Sequence, residues 1–221
     1  NDRWNKKELT SLAELEFLLS LSAAKLAADA RYGRSTLFTL DQAPFTGKHL
    51  EQRDLAKIGA EILLRSDIGN AIKEQFPEHR QYLMMKRALA DYRKIAESGG
   101  WLPLPTKHSL RPGDRGGLVT ALADRLKVSG DLPASDTIDG EFTPELTAAV
   151  KIFQQRHGIP PTGEVHALTF TALNVPVQER IKALVVNLER WRWLARDLSD
   201  EKAVYVNIAG FELFATNGPD I

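Results

Sequence analysis

Apolar positions recur at helical spacing through the first hundred residues, interrupted by clear turn signals. Ser11-Leu-Ala-Glu14 fits a capping box, in which a serine hydroxyl and a glutamate three residues on satisfy orphan amides at a helix start. Leu15, Leu18, Leu19 and Leu26 follow near helical spacing toward Arg31-Tyr-Gly-Arg34. Residues 35–50, with Pro44 and Gly47, are polar and read as a loop. Leu55, Ile58, Ile62 and Leu63 then mark a second helix. Ile68, Ile72 and Phe76 mark a third, capped by Asp67 and stopped by Pro77. Tyr82, Met85, Leu89, Tyr92 and Ala96 mark a longer fourth, ending at Gly99-Gly100. Trp101-Leu-Pro-Leu-Pro105 cannot continue a helix and reads as an extended linker, so a domain boundary is expected there.

Residues 110–174 form a compact pattern of their own. Turn glycines at Gly113, Gly116, Gly130, Gly140, Gly158 and Gly163 set off three short amphipathic helices. Leu118, Leu122 and Leu126 line the first. The second has Thr143 as N-cap, Pro144 at the first helical position, Gly158 just past its end, and an apolar stripe of Leu146, Ala149, Val150 and Phe153. The third carries Val165, Leu168, Ala172 and Leu173. A weak internal repeat sets Gly140-Glu-Phe and Leu146-Thr147 against Gly163-Glu-Val and Leu168-Thr169, which fits two similar turn-helix units. Pro176 opens another helix, with Ile181, Leu184, Val185, Leu188 and Trp191 on one face and Arg180, Glu189, Arg190 and Arg192 on the other. After Asp197 the period switches to two: Val204, Val206 and Ile208 alternate with Tyr205 and Asn207, and Phe211 and Leu213 follow. Asn217-Gly218 is a hairpin signal that promises a returning strand. The strand is expected to lack its partner within these residues, so the chain reads as the front of a longer protein whose β-rich domain begins near residue 202.

Composition narrows the function. With 221 residues and 43% apolar side chains, the chain can bury the cores of one large or two ordinary domains. Its 29 basic and 29 acidic side chains cancel, which gives no electrostatic reason to expect nucleic acid or an anionic membrane as partner. No apolar run is long enough for a transmembrane helix. The start at Asn1-Asp-Arg-Trp4 looks like a mature or trimmed terminus from which an export signal is already gone. There are no cysteines, which excludes disulfides, cysteine-held zinc and thiol catalysis within these residues.

Most chemistry-bearing side chains have plainer explanations. His49, His79, His108, His157 and His166 form no metal-binding spacing, so neither a metal nor another cofactor is expected. Ser11 serves better as a cap than as a nucleophile. Asp139 and Glu141 could be paired as acid and base in a glycosidase, but turn chemistry at Asp139-Gly140 explains the aspartate more simply. Trp191 and Trp193 face different directions on their helix. One is assigned to the core; the other is expected to pack against a neighbouring domain, with stacking on a sugar as the alternative.

Four segments share a resemblance. The pattern at 110–174 resembles the peptidoglycan-binding domains attached to bacterial cell-wall enzymes. Val175-Pro-Val-Gln-Glu-Arg-Ile181 with Asn187-Leu-Glu-Arg-Trp-Arg-Trp193 resembles the linker helix of large bacterial L,D-transpeptidases. Val204-Tyr-Val-Asn-Ile208 with Phe211-Glu-Leu-Phe214 is similar to the first strands of their catalytic domain. Ala28-Asp-Ala-Arg-Tyr-Gly-Arg34, and Tyr92-Arg93 through Gly99-Gly-Trp101, resemble their helical scaffold. Such enzymes cross-link peptidoglycan stem peptides through a cysteine in a Ser-x-Gly-Cys-x-Arg motif, with a histidine partner. This sequence has neither the cysteine nor the motif, so these residues alone are expected to be inactive.

The resemblance implies a mainly α protein: a helical scaffold at 1–105, a three-helix peptidoglycan-binding module at 106–174 inserted into it, a helix at 175–200 completing the scaffold, and the first strands of a truncated catalytic domain at 201–221. The implied function is binding and positioning on peptidoglycan in the periplasm. The implied partners are glycan strands, stem peptides and other wall-synthesis proteins. Wall contacts are expected from polar groups beside the turn glycines: Arg115, Asp139, Gln154, Arg156 and His157. Arg115 and Arg156 are expected to meet stem-peptide carboxylates, and amides near Gly116 or Gly140 to meet sugar or peptide groups. Two alternatives are the wall-binding region of a peptidoglycan hydrolase and a helical adaptor that binds protein.

Overall fold

The computed structural model describes residues 6–34, 54–106, 109–193, 202–207 and 212–217. Among them are eight α-helices: α1 Lys6–Tyr32, α2 Leu55–Leu63, α3 Ile68–Lys73, α4 Arg80–Glu97, α5 Gly117–Val128, α6 Pro144–Arg156, α7 Ala167–Leu173 and α8 Val177–Trp191. Strands β1 Lys202–Asn207 and β2 Glu212–Asn217 make a two-stranded antiparallel sheet. The protein is therefore mainly α. Two compact units form, residues 1–88 with 184–221 and residues 89–183, and their limits fall inside α4 and α8.

In the first unit, α1 begins at Lys6, so Ser11 and Glu14 lie inside the helix and make no capping box. The preceding Lys6-Lys-Glu-Leu9 contains good helix formers and no breaker, so nothing starts the helix at Ser11. The buried face of α1 is built from Ala24, Ala27, Ala28 and Ala30, whereas Leu15, Leu18, Leu19 and Leu26 are exposed. Small side chains let α2 come close: a Cβ at Gly59 would stand 3.4 Å from the Ala24 Cβ. Ala27 and Ala28 share a core with Ile58, Ile62 and Ala71. Asp54 and Asp67 cap α2 and α3 by accepting from the Lys57 and Asn70 amides. The expected loop at 35–50 lies outside the described residues.

Gly33 ends α1 at φ 79, and its amide bonds to the Asp29 carbonyl at 3.0 Å. The end of α8 seats here. Glu189 accepts the Arg34 amide, Arg192 donates to the Asp29 carbonyl at 3.3 Å, and a Cβ at Gly33 would collide with the Glu189 and Trp193 side chains. Trp191 packs on His79, ring centroids 5.3 Å apart. Leu188 is buried, but Val185 is exposed, off the face on which it was expected.

β1 does find a partner. It pairs with β2 in a register running from Lys202↔Asn217 to Asn207↔Glu212. The return therefore precedes Glu212, and Asn217 lies in β2 opposite Lys202. Gly218 of the expected second turn lies outside the described residues.

The second unit has one continuous core. Val119, Leu122, Ala123 and Leu126 of α5 meet Leu146, Ala149, Val150 and Phe153 of α6, and Phe170 and Leu173 of α7. Trp101–Pro105 is extended, as the prolines dictate, and it is tied down along the module. Trp101 Nε1 donates to the Val175 carbonyl at 3.0 Å. The Asn174 side chain brackets Leu104 with bonds of 2.7 and 2.8 Å to its amide and carbonyl.

The internal repeat is real, in a different register. Aligning Leu146-Thr147 with Leu168-Thr169 matches letters at a spacing of 22, yet Leu168 is 71% exposed. At a spacing of 23, Phe142 and Val165, Leu146 and Thr169, Ala149 and Ala172, and Val150 and Leu173 are equivalent, and these positions face the core. The N-caps Thr143 and His166 also coincide in this register. Helix geometry decides, because inward positions are counted from the cap rather than from the nearest leucine.

This register makes a testable distinction. Phe170→Ala should cost about 3–5 kcal/mol in urea unfolding, while Leu168→Ala should stay within about 0.5 kcal/mol. Equal losses would put the register in error.

Candidate functional site

The surface loops of the second unit converge through backbone pairing. The Leu110 and Val165 amides each donate to the other's carbonyl, at 3.1 and 2.8 Å. Gly113 donates to the Phe142 carbonyl at 3.0 Å, Phe142 returns a bond to Asp114 at 2.8 Å, and Gly116 donates to Gly140 at 2.8 Å. Gly116 at φ 128 and Gly140 at φ 71 adopt backbone that side-chain-bearing residues rarely reach, which permits this close crossing. The segment 110–116 thus lies beside both the 139–142 turn and the 163–166 turn.

Charged side chains line that crossing. Arg115 donates to Glu141 at 2.7 Å, with the arginine largely exposed. Arg111 lies 3.8 Å from Glu164, and His166 Nε2 lies 2.8 Å from the same carboxylate. The two glutamates occupy equivalent places in the repeat, and each meets an arginine from the 110–116 segment. Asp139 is exposed beside Gly140. Arg115 and Asp139 are therefore brought to one surface, together with Arg111, Glu141, Glu164 and His166. Arg111 and Glu164 were not singled out from sequence, whereas Glu141 was weighed only as an acid–base partner of Asp139 and His166 only as a metal ligand; Glu141 and Glu164 stand at matching places in the visible repeat.

The other three expected residues sit at the far end of α6 and have internal duties. Gln154 is 1% exposed. Its amide nitrogen donates to the Glu164 carbonyl at 2.7 Å and to Thr169 Oγ1 at 3.1 Å, and its oxygen accepts from the Gly163 amide at 2.9 Å. It clamps the 160–166 turn onto α6 and α7 and presents no polar group to solvent. Gly163 at φ 82 is required by the same closure, because a Cβ there would stand 2.7 Å from Thr147 Cγ2. Burial and full hydrogen bonding make Gln154 a positioning residue for the turn rather than a surface contact.

Arg156 grips the buried Asp131 with two nitrogens, at 2.8 and 2.7 Å, and its third nitrogen donates to Tyr92 at 3.3 Å. Burial works against its charge, but the bonds and attraction to Asp131 outweigh it and raise its pKa above the usual range. His157 stacks on Phe153 with centroids 4.0 Å apart. Its Nδ1 lies 2.8 Å from the Phe153 carbonyl, so Nδ1 carries the proton. Burial pushes this imidazole down from 6.5 to about 4, with help from Arg156 and against the pull of the carbonyl bond. Among the described residues no hydrogen bond or ion pair joins this end of α6 directly to Arg115 or Asp139, and no group of side chains has metal-binding geometry.

The His157 shift has a consequence for stability. The unfolded chain protonates this imidazole near 6.5, the folded chain only near 4, so the unfolded state takes the proton first on acidification. Stability from this residue is complete above about pH 6.5 and is lost as pH falls toward 4. Thermal midpoints measured across that window should fall in the native chain and fall less in His157→Gln. Parallel curves would contradict the assignment.

Two family models match the chain. Residues 115–173 match a model described as "putative peptidoglycan binding domain", and residues 1–89 match a model described as "Scaffold domain". The first includes Arg115, Glu141, Glu164 and the α6 end, while Arg111 and the start of the crossing segment precede it. No curated protein matches. Among the described residues, no helix is long and apolar enough to cross a membrane. The matched binding domain points to a place at the cell wall.

Proposed function

We propose that the chain is the wall-binding and positioning region of an L,D-transpeptidase that cross-links peptidoglycan stem peptides in the periplasm. The observation that carries this reading is the pairing of a peptidoglycan-binding match at 115–173 with a scaffold match at 1–89, a scaffold typical of such enzymes. The α8 sequence Asn187–Trp193 and the β1–β2 hairpin support it through the resemblance they carry. On this reading residues 1–105 and 175–200 form the scaffold, 106–174 the wall-binding module, and 201–221 the first strands of a catalytic domain. The nucleophilic cysteine of such enzymes is absent here, so these residues hold and orient without catalysing.

The wall-facing surface is assigned to Arg115 and Asp139 at the loop crossing, with Arg156 and His157 at the end of α6 and Gln154 positioning the turn behind them. Arg115 is exposed and already engages a carboxylate, Glu141, so exchange for a ligand carboxylate costs little structure.

The full chain should co-sediment with purified sacculi, and Arg115→Ala should lower the bound fraction several-fold at an unchanged melting temperature. The same chain should leave soluble stem peptides unlinked. A folded chain that stays in the supernatant would overturn wall binding, and cross-linking by this chain would overturn the division of labour.

A further inference from the structure

The second unit holds a cluster of cations that the loop surface does not use. Arg125 of α5 is 5% exposed, and its guanidinium carbon lies over the Trp101 ring, 3.6 Å from the centroid. Its Nε donates to the Leu173 carbonyl at 3.0 Å. Arg180 of α8 donates from Nη2 to the adjacent carbonyl, Ala172, also at 3.0 Å. Two guanidiniums are thereby anchored side by side at the end of α7, where the helix dipole favours positive charge. Trp101 meets Tyr92 edge-on at 6.1 Å, and Tyr92 accepts from Arg156. These contacts link three arginines through two aromatic rings and one helix end.

The cluster is over-supplied with donors. Arg125 Nη1 and Arg180 Nε are buried and have no hydrogen-bond partner among the described residues. Unmet charged donors of this kind are costly and call for a partner. Asp131 is the one carboxylate among the charges that act on Arg125, and Arg156 already occupies both its oxygens. Burial lowers the Arg125 pKa to about 10, so it still carries its charge at neutral pH. Arg156 is exposed and Arg180 half-buried, so the rim of the cluster meets solvent while the two unpaired nitrogens lie beneath it.

We propose that Arg125 and Arg180, flanked by Arg156, Tyr92 and Trp101, form a binding site for a carboxylate of the peptidoglycan stem peptide, an inference that rests on the wall-binding reading. A planar carboxylate that displaces the rim side chains of Arg156 and Arg180 matches the guanidinium fork and supplies the acceptors that Arg125 Nη1 and Arg180 Nε lack. The Tyr92 ring beside the cluster suits the aliphatic part of a peptide better than a bare inorganic anion.

The arginine Nε–H signals of the full chain, followed by NMR, test this. A soluble stem peptide with free carboxylates should shift the Arg125 and Arg180 signals saturably. The same peptide with its carboxylates amidated should leave them in place, and acetate or inorganic phosphate should act about tenfold more weakly. Arg180→Gln should abolish the Arg125 shift; should that variant unfold, the wild-type titration decides alone. Signals that stay fixed, that move equally with the amidated peptide, or that follow phosphate as strongly as peptide overturn the site. Sedimentation with sacculi that persists alongside fixed signals overturns this site while leaving wall binding intact.

Discussion

The buried amide of Gln154 is the interaction on which the second unit depends. A single side chain satisfies the Gly163 amide and the Glu164 carbonyl and reaches Thr169 at the same time. Without it, two backbone groups of the 160–166 turn would be stranded beside an apolar core. The turn in turn holds Val165 against Leu110, and that pairing aligns the 110–116 segment with the 139–142 turn. The charged surface is thus the outer consequence of one inward-facing amide.

The first unit rests on a different constraint, the small size of its contact residues. Alanines on α1 and Gly59 on α2 let two helices approach closely, and the gain comes from close packing rather than from bulky side chains. At Gly33 the chain turns with positive φ in the space left by Glu189 and Trp193, which is how α8 is received. A larger residue there would meet both strain and collision.

Much of this was legible in the sequence. Helix existence followed periodicity, and the Thr143-Pro144 start and Gly158 end of α6 were readable because caps have local chemistry. The start of α1 was misread, because a Ser-x-x-Glu pattern also occurs inside a helix. The face of α7 was misread, because Leu168 is apolar yet sits one position off the inward register, where Thr169 is buried instead. The partner of β1 was missed because the hairpin turn was sought at Asn217-Gly218, whereas Asn217 already belongs to the returning strand β2. At the site, Arg115 and Asp139 were visible beside glycines, whereas the burial of Gln154 was not, since a polar residue next to an apolar stripe reads as surface until its partners are known. Arg125 and Arg180 were invisible for a related reason: their significance comes from the end of α7 and from Trp101, which is distant in the chain.

A peptidoglycan-binding module with a loop crossing on one surface and an arginine–aromatic cluster at the end of α7 has two sets of donors suited to an anionic, amide-rich polymer. The central claim is that these surfaces, and not the exposed leucines of α1, meet the wall. Backbone amide shifts on titration with a soluble glycan–stem-peptide fragment test it most directly. The account predicts shifts concentrated at 111–116, 139–141 and 154–166 and around Tyr92, Trp101, Arg125 and Arg180, with α1 unaffected. Shifts centred on α1, or none at saturating fragment, would contradict it.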